Sequence, residues 1–292
     1  GLVNEVFDGN SLAKLGTGSM AVGHVRYSTT GGNTIENAQP LVTKYSKGTL
    51  TIAHNGNISN AAKLRSQLEA DGAIFQTTND TEIIAFLIAR ARQHTPSVEQ
   101  AVSEAIKELQ GAFSLLVMSP RKLIAVRDPY GIRPLCIGRL GDSYLFSSES
   151  CALDAVGAAY LRDVEPGEIV VATEEDTLQS RKEHCGKRAA LCIFEHIYFA
   201  RPDSVIDHQS VYEARIEAGR ALARENNVAA DMVIGVPDSG IIAALGYAKE
   251  SKIPFGEGLV KTRFTGRTFI QPAQNQRQQS VRIKLNVLAS NI

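Results

Sequence analysis

The sequence lacks the features of a membrane, secreted or disulfide-held protein. Among its 292 residues no apolar run approaches the roughly 18 to 20 residues that span a bilayer, and no basic, apolar and small-residue signal stands at the start. The four cysteines form no CxxC pair and have no histidine at zinc-ligand spacing, which is typical of buried, reduced thiols. We therefore expect a cytoplasmic protein that makes no contact with a membrane.

Net charge is also missing, because 31 basic and 31 acidic side chains cancel. The charges are unevenly distributed along the chain, because no aspartate or glutamate follows Glu257. The segment from Gly258 onward therefore carries a net charge of +6, and residues 1–257 carry −6. A basic segment of this kind attracts phosphate. Only Phe264 and Phe269 supply aromatic rings there, and the rest of the chain is acidic. We therefore favour a phosphorylated small molecule over nucleic acid as the partner.

The length predicts about two domains, because a domain typically has roughly 100 to 200 residues. Up to about residue 188 the chain alternates short strand-like runs with marked helices. Ser97 and Gln100 form a capping box, Asn79 opens a second helix, and a third is predicted over 61–70. Strands are predicted over 50–53, 113–118, 123–126, 135–137, 144–146 and 168–172. This pattern indicates strands and helices in layers.

From residue 189 the pattern changes to that of a parallel sheet. A helix starts at Ser210, residues 232–236 form a β-branched run, and a turn at 237–240 leads directly into an apolar helix over 241–247. In such βαβ units ligands bind beyond the carboxyl ends of the strands, and helix N-termini attract anions. From this turn alone, a phosphate site at 238–240 and a small-residue turn without a ligand are equally consistent with the sequence.

A few polar residues in the first part suggest acyl-transfer chemistry. The Asn55 amide and a backbone N–H beside Gly56 can donate to a developing oxyanion, although Asn-Gly is also a common turn dipeptide. The planar guanidinium group of Arg26 can donate two hydrogen bonds to a carboxylate, although an arginine is most often a surface residue. Asp80 can hold an ammonium group or simply interact with the helix dipole. Together these groups suit acyl transfer from an amino acid amide.

Seven motifs, in order, resemble the glutamine phosphoribosylpyrophosphate amidotransferases, or amidophosphoribosyltransferases. They are GHVRYST (23–29), HNGN (54–57), NDTE (79–82), RDPYGIRP (127–134), YFARPDS (198–204), GVPDS (235–239) and GRTFIQP (266–272). Glucosamine-6-phosphate synthase and asparagine synthetase share versions of the first three motifs and not the last three. A sugar-phosphate or asparagine-forming amidotransferase is therefore the weaker alternative.

The resemblance implies an α+β glutaminase domain of the N-terminal-nucleophile type over residues 1–188, built as a four-layer αββα sandwich. Part of an α/β type I phosphoribosyltransferase domain would follow over 189–292. Ammonia from glutamine would displace pyrophosphate from 5-phosphoribosyl 1-pyrophosphate and give 5-phosphoribosylamine, the first committed step of de novo purine synthesis. The family further implies Mg²⁺, a homotetramer and purine nucleotides as inhibitors.

Matching the motifs residue by residue assigns roles to the first domain. Arg26 and Thr29 would hold the glutamine α-carboxylate, and Asp80 its amino group. Asn55 and Gly56 would form the oxyanion hole.

The same matching assigns roles in the second domain. Ser239 would occupy a magnesium-site position, and Cys192 aligns with a ligand of a [4Fe–4S] cluster in some members of the family. Within the basic segment, residues 261–274 would be the mobile loop that closes over the phosphoribosyl substrate. Its substrate-contacting residues would be Lys261, Arg263, Arg267 and Thr268.

The sequence departs from the family in two places. The family's nucleophile is the thiol of an N-terminal cysteine, whereas residue 1 here is Gly1. The family's phosphoribosyl signature contains paired aspartates, and no Asp-Asp pair occurs in this sequence. We expect an incomplete chain, inactive as given, with truncation the simpler explanation than evolved loss. The alternative is a non-catalytic regulatory module that binds glutamine or nucleotides.

Overall fold

The computed structural model describes residues 3–26, 34–173, 175, 177–226, 228–262 and 274–291. The chain divides into two compact units, Gly1–Leu191 and Cys192–Ile292. Among these described residues, no helix combines the length and apolar character that a membrane crossing requires.

The first unit contains helices and two antiparallel sheets. Its helices are α1 (Val3–Val6), α2 (Gly9–Lys14), α3 (Ala61–Ala70), α4 (Asp80–Ala91), α5 (Val98–Ile106) and α6 (Ser150–Ala155), with a 3₁₀ turn at Ile35–Asn37. Its strands are β1 (Leu41–Tyr45), β2 (Gly48–Ile58), β3 (Gly111–Ser119), β4 (Lys122–Arg127), β5 (Cys136–Leu140), β6 (Ser143–Ser147), β7 (Ala159–Asp163), β8 (Ile169–Thr173) and β9 (Leu178–Arg181). One sheet has the order β1-β2-β3-β4-β8-β9 and the other the order β6-β5-β7.

Side-chain alternation along the strands of the larger sheet separates two cores. On β4, Ile124 and Val126 pack in the large core that includes α3, α4 and α5. Ala125, between them, packs instead in the core shared with the smaller sheet. On β8 the neighbours Val170 and Val171 divide in the same way. Because successive side chains of a strand point to opposite faces, the larger sheet is covered by helices on one face and by the smaller sheet on the other.

The smaller sheet shows the same alternation. Ile137 of β5 belongs to the core between the sheets. Its neighbour Cys136 packs with Leu153 of α6 and with Ala158. The layers therefore run helix, sheet, sheet, helix, and the predicted four-layer αββα sandwich is confirmed.

Local signals predicted α3, α4 and α5, whereas the short helices α1, α2 and α6 were not predicted. The Ser97 side chain accepts a hydrogen bond from the Gln100 amide, and the Asn79 side chain accepts one from the Thr81 amide, so both helices begin where the sequence predicts. The strands β1, β7 and β9 were not predicted. Their residues are mostly exposed or half-buried, so they lack the apolar run that marks the central strands.

The strand predicted over residues 50–53 is longer in the structure. Residues 54–57, the HNGN motif, also lie within β2 and stay paired with β3 as far as the Ile58–Gly111 pair. Gly56 makes this possible, because its φ is 149° and the β3 backbone passes close to it. A Cβ at this position would lie 2.0 Å from the Ala112 carbonyl oxygen.

The second unit is built around two packed helices. Its helices are α7 (Val211–Glu225), α8 (Gly240–Ser251) and α9 (Gln274–Lys284), with a π-helical turn at Glu195–Phe199. Its strands are β10 (Val205–Ile206), β11 (Gln209–Ser210), β12 (Leu259–Lys261) and β13 (Leu285–Val287). Gly219 on α7 lies against the α8 backbone, where a Cβ would come within 1.9 Å of the Ala243 carbonyl oxygen. The absence of a side chain therefore allows the two helices to pack closely.

The predicted strand over 232–236 is reduced to one parallel bridge, Val233 with Phe255. Val233 donates to the Pro254 carbonyl at 2.9 Å and accepts from the Gly256 amide at 3.0 Å. Pro254 has no amide hydrogen to donate to the carbonyl of Asp231. The parallel pairing therefore cannot extend from Val233 toward the N-terminus of the segment. The assignment of residues 189–292 to a phosphoribosyltransferase domain stays a prediction.

An ion pair between half-buried Arg162, near the end of β7, and buried Glu168 makes the first unit sensitive to acid. Both oxygens of the buried Glu168 carboxylate accept from Arg162, at 2.7 and 2.8 Å. Burial alone would raise the pKa of Glu168, but the hydrogen bonds from Arg162 and Ser180 outweigh it and lower the pKa. This carboxylate therefore stabilises the fold above its unfolded-state pKa, and the contribution is lost as the pH falls through the lowered pKa.

We expect Glu168→Gln to lower the free energy of unfolding by about 1–3 kcal/mol at neutral pH, because Arg162 loses its charged partner. Between neutral pH and about pH 3 the variant should lose less stability than the wild type. Urea unfolding at the two pH values measures both effects. Equal acid sensitivity of the two proteins would contradict the assignment of this carboxylate.

Candidate active site

The Asp80 carboxylate is held where β2 ends and α4 begins. Asp80 is the first residue of α4 and is 5% exposed. Its Oδ2 accepts a hydrogen bond from the Ile58 amide at 2.9 Å, and its Oδ1 lies 3.4 Å from Nδ1 of His54. Ile58 is the last residue of β2, the strand that carries Asn55 and Gly56. These contacts fix the carboxylate to the strand of the predicted oxyanion hole.

The surroundings of Asp80 favour its charged form. Burial alone would raise the pKa of this carboxyl, but the hydrogen bond and charge of His54 and the Ile58 amide outweigh it, and the pKa is lowered. The N-terminal end of α4 adds a favourable helix dipole. Asp80 is therefore a fixed anion at neutral pH, suited to an ammonium group.

A network of amides fastens the start of α4 to the segment before β1. Asn37 donates to the Thr78 hydroxyl at 2.9 Å and accepts from the Thr78 amide at 3.0 Å. The Asn79 side chain donates to the Asn37 carbonyl at 3.3 Å. Gln39 accepts from the His54 amide at 2.7 Å. Sequence reasoning missed Asn37 and Gln39, because nothing in their spacing indicates partners so far along the chain.

The predicted oxyanion-hole residues are accessible. Asn55 and Gly56 are half-buried, in contrast to the buried residues that precede them on β2. In the part of the chain that the structure describes, the Asn55 side-chain amide forms no hydrogen bond, so its donors are available to a ligand.

Arg26 lies at the end of a described segment that also contains His24. Burial, and then the charges of His54 and Arg26, lower the pKa of His24. The effect of His54 indicates that the segment at 24–26 lies within electrostatic range of β2. Thr29, the predicted second partner of the α-carboxylate, lies outside the described residues.

In the second unit, Lys261 and Asp238 form an ion pair. Ser239 stands at the N-cap of α8 without a side-chain capping hydrogen bond. Arg263, Arg267 and Thr268 lie outside the described residues. The phosphate role of this region stays a prediction.

The described residues do not fit either implied metal group. No three histidine, cysteine or acidic side chains among them are placed to hold a metal ion. An iron–sulfur cluster needs several converging thiolates, and Mg²⁺ needs more than the single hydroxyl of Ser239.

Comparison with known proteins agrees with the fold. Residues 24–155 match the family model of the glutamine amidotransferase domain. With the αββα sandwich, this match defines a glutamine amidotransferase domain of the N-terminal-nucleophile class.

The full-length relatives are more specific. The chain is 47% identical to the amidophosphoribosyltransferase of Archaeoglobus fulgidus over 292 residues, which are 100% of this chain and 64% of that protein. It is 47% identical to the Bacillus subtilis amidophosphoribosyltransferase over 289 residues, 99% of this chain and 60% of that protein. Over its whole length the chain is therefore similar to amidophosphoribosyltransferases. It spans about three fifths of the length of these relatives.

Two solved structures agree with this assignment. One is described as the glutamine phosphoribosylpyrophosphate amidotransferase of Bacillus subtilis complexed with ADP and GMP. It has a TM-score of 0.82 and 45% identity, and the match covers 91% of this chain and 57% of that chain. The other is described as the allosteric regulatory enzyme of purine biosynthesis. It has a TM-score of 0.87 and 44% identity, over 99% of this chain and 62% of that chain.

The close approach of β3 to Gly56 gives a stability prediction. We expect Gly56→Ala to lower the free energy of unfolding by about 3 kcal/mol, since the new methyl group would overlap the Ala112 carbonyl and the φ is unfavourable for alanine. Gly72→Ala is the matched control: its φ is also positive, at 92°, but no atom lies within 4 Å of the added carbon. The control should lose only about 1 kcal/mol. Equal losses in urea unfolding would contradict the close approach.

Proposed function

We propose that this chain carries the glutamine site of an amidophosphoribosyltransferase. The complete reaction would transfer ammonia from glutamine to 5-phosphoribosyl 1-pyrophosphate, giving 5-phosphoribosylamine, glutamate and pyrophosphate. This is the first committed step of de novo purine synthesis, in the cytoplasm. The observation that carries the proposal is the buried, ionised Asp80 carboxylate, fixed to the strand that presents Asn55 and Gly56.

Each end of glutamine has a matching group in the proposed site. Asp80 binds the α-ammonium group, and the planar fork of Arg26, with Thr29, binds the α-carboxylate. The side-chain carboxamide then extends toward Asn55 and Gly56. When a nucleophile attacks the carboxamide carbon, negative charge develops on its oxygen, and the Asn55 amide with the backbone N–H at Gly56 stabilises it. Ammonia is the leaving group, and water releases glutamate from the acyl intermediate.

The thiols of the first unit are poorly suited to start this reaction. Cys136 and Cys151 are buried on the α6 side of the smaller sheet. Burial, together with the nearby Asp163 carboxylate, raises the pKa of Cys136 to about 12, so its thiolate is scarce at neutral pH. For the 292-residue chain itself we therefore propose glutamine binding without turnover, which is also what a regulatory module would do.

The second unit would receive the phosphoribosyl substrate. Lys261, at the end of β12, begins the basic segment, and a phosphate would compete with Asp238 for its ammonium group. Arg263, Arg267 and Thr268 would complete the loop. Mg²⁺ at Ser239 and a cluster at Cys192 are implied for the family, and no step of the proposal runs through either. A homotetramer and inhibition by purine nucleotides are proposed for the parent protein, whose Bacillus subtilis relative was solved with ADP and GMP.

The glutamine site can be tested on the 292-residue chain by NMR titration with L-glutamine. Asp80→Asn removes the charge that binds the α-ammonium group, and we expect it to weaken glutamine binding by about tenfold or more. Asp142→Asn is the control, because Asp142 is a fully exposed aspartate in the turn between β5 and β6.

A coupled glutamate assay on the same samples should detect no release above background. Absence of glutamine binding by the wild type, or unchanged binding by Asp80→Asn, would contradict the proposed site. A burst of glutamate would contradict binding without turnover.

A further inference from the structure

His54 is the residue through which β2 contacts Asp80. It directly precedes Asn55, and its side chain is wholly buried. Its Nδ1 lies 3.4 Å from both Oδ1 of Asp80 and the hydroxyl oxygen of Thr81. Its Nε2 is also buried, and no described residue forms a hydrogen bond with that atom. None of the roles assigned to the glutamine site uses this imidazole.

The neighbours of Nδ1 determine where the imidazole proton sits. The hydroxyl of Thr81 donates its single proton to Oδ1 of Asn79 at 2.9 Å. The ionised Asp80 carboxylate can only accept. Both groups that face Nδ1 are therefore acceptors, and Nδ1 carries the hydrogen.

The imidazole therefore faces the Asp80 carboxylate through Nδ1, while its Nε2 has no hydrogen-bond partner among the described residues. A lysine or arginine in its place would form an ion pair with Asp80 and compete with any ligand cation.

We propose that His54 is a positioning residue that orients the Asp80 carboxylate toward the α-ammonium group of the ligand, so that the site selects amino acid amides over amides without an amino group. This inference rests on the proposed glutamine site and extends it to the choice of ligand. Its consequence is that removal of the imidazole weakens only those ligands that carry an α-ammonium group.

The backbone of His54 is held independently of its side chain. Its amide donates to Gln39 at 2.7 Å, and the residue pairs with Leu115 of β3. A substitution at position 54 should therefore change the environment of Asp80 and leave β2 in place. This makes the contribution of the imidazole measurable.

The test compares His54→Leu, His54→Asn and His54→Gln in titrations with L-glutamine and with 4-carbamoylbutanoate, which is glutamine without its α-amino group. The asparagine amide can replace the Nδ1 donor, whereas the glutamine amide reaches the position of Nε2. We expect His54→Leu and His54→Gln to weaken L-glutamine binding about tenfold. We expect His54→Asn to stay within about threefold of the wild type. Binding of 4-carbamoylbutanoate should be unchanged in all three.

Equal weakening of both ligands would show a general packing role and would overturn the proposal, as would full L-glutamine affinity in His54→Leu. If His54→Leu fails to fold, as judged by its amide NMR spectrum, the comparison of His54→Asn with His54→Gln decides. Equal affinity of these two variants for L-glutamine would overturn the proposal.

A ligand-free measurement separates this inference from the proposed function. Carbon NMR of the Asp80 carboxyl should show a higher pKa in His54→Leu than in the wild type, because burial then acts without the imidazole hydrogen bond. An unchanged pKa would overturn the positioning role. A raised pKa in a protein that binds no glutamine would support the positioning role and contradict the proposed function.

Discussion

The geometry of the candidate site depends on how the protein holds one buried carboxylate, that of Asp80. Asp80 loses most of its hydration at the start of α4, and an ion removed from water must be compensated by the protein. The Ile58 amide and the His54 imidazole supply that compensation from β2, so the carboxylate stays charged only while strand and helix keep their positions. The same contacts tie the charged carboxylate to the strand that carries Asn55 and Gly56. The charge of Asp80 and the packing of β2 against α4 therefore depend on each other.

The sandwich makes this arrangement rigid. Each central strand buries one row of side chains against α3, α4 and α5 and the other row against the smaller sheet, so a shift by one residue would exchange the two cores. β2 is further confined by β1 on one side and β3 on the other. Gly56 brings the β3 backbone closer than any side chain would allow. The result is a stiff strand that can present donors to a developing charge without reorganising.

Local physics explains which elements were predictable. The helices that start after Asn79 and Ser97 were predicted because their caps and apolar repeats lie within a few residues of each other. β1, β7 and β9 were missed because their stability comes from pairing with neighbours rather than from their own composition. The segment 232–236 has strand composition, yet a strand needs partners, and among the described residues it pairs through the single Val233–Phe255 bridge.

By itself the sequence predicted the layered fold, the resemblance to amidophosphoribosyltransferases and the residues proposed for the site, namely Arg26, Asn55, Gly56 and Asp80. These follow from short motifs, in which residue type and order are enough. Only the tertiary structure decided that His54, Asn37 and Gln39 support Asp80 and its strand. The bond between Gln39 and His54 joins residues 15 apart in the chain, and that between Asn37 and Asn79 joins residues 42 apart. Partnerships of this kind arise when sheet and helix pack together, and no local pattern along the chain encodes them.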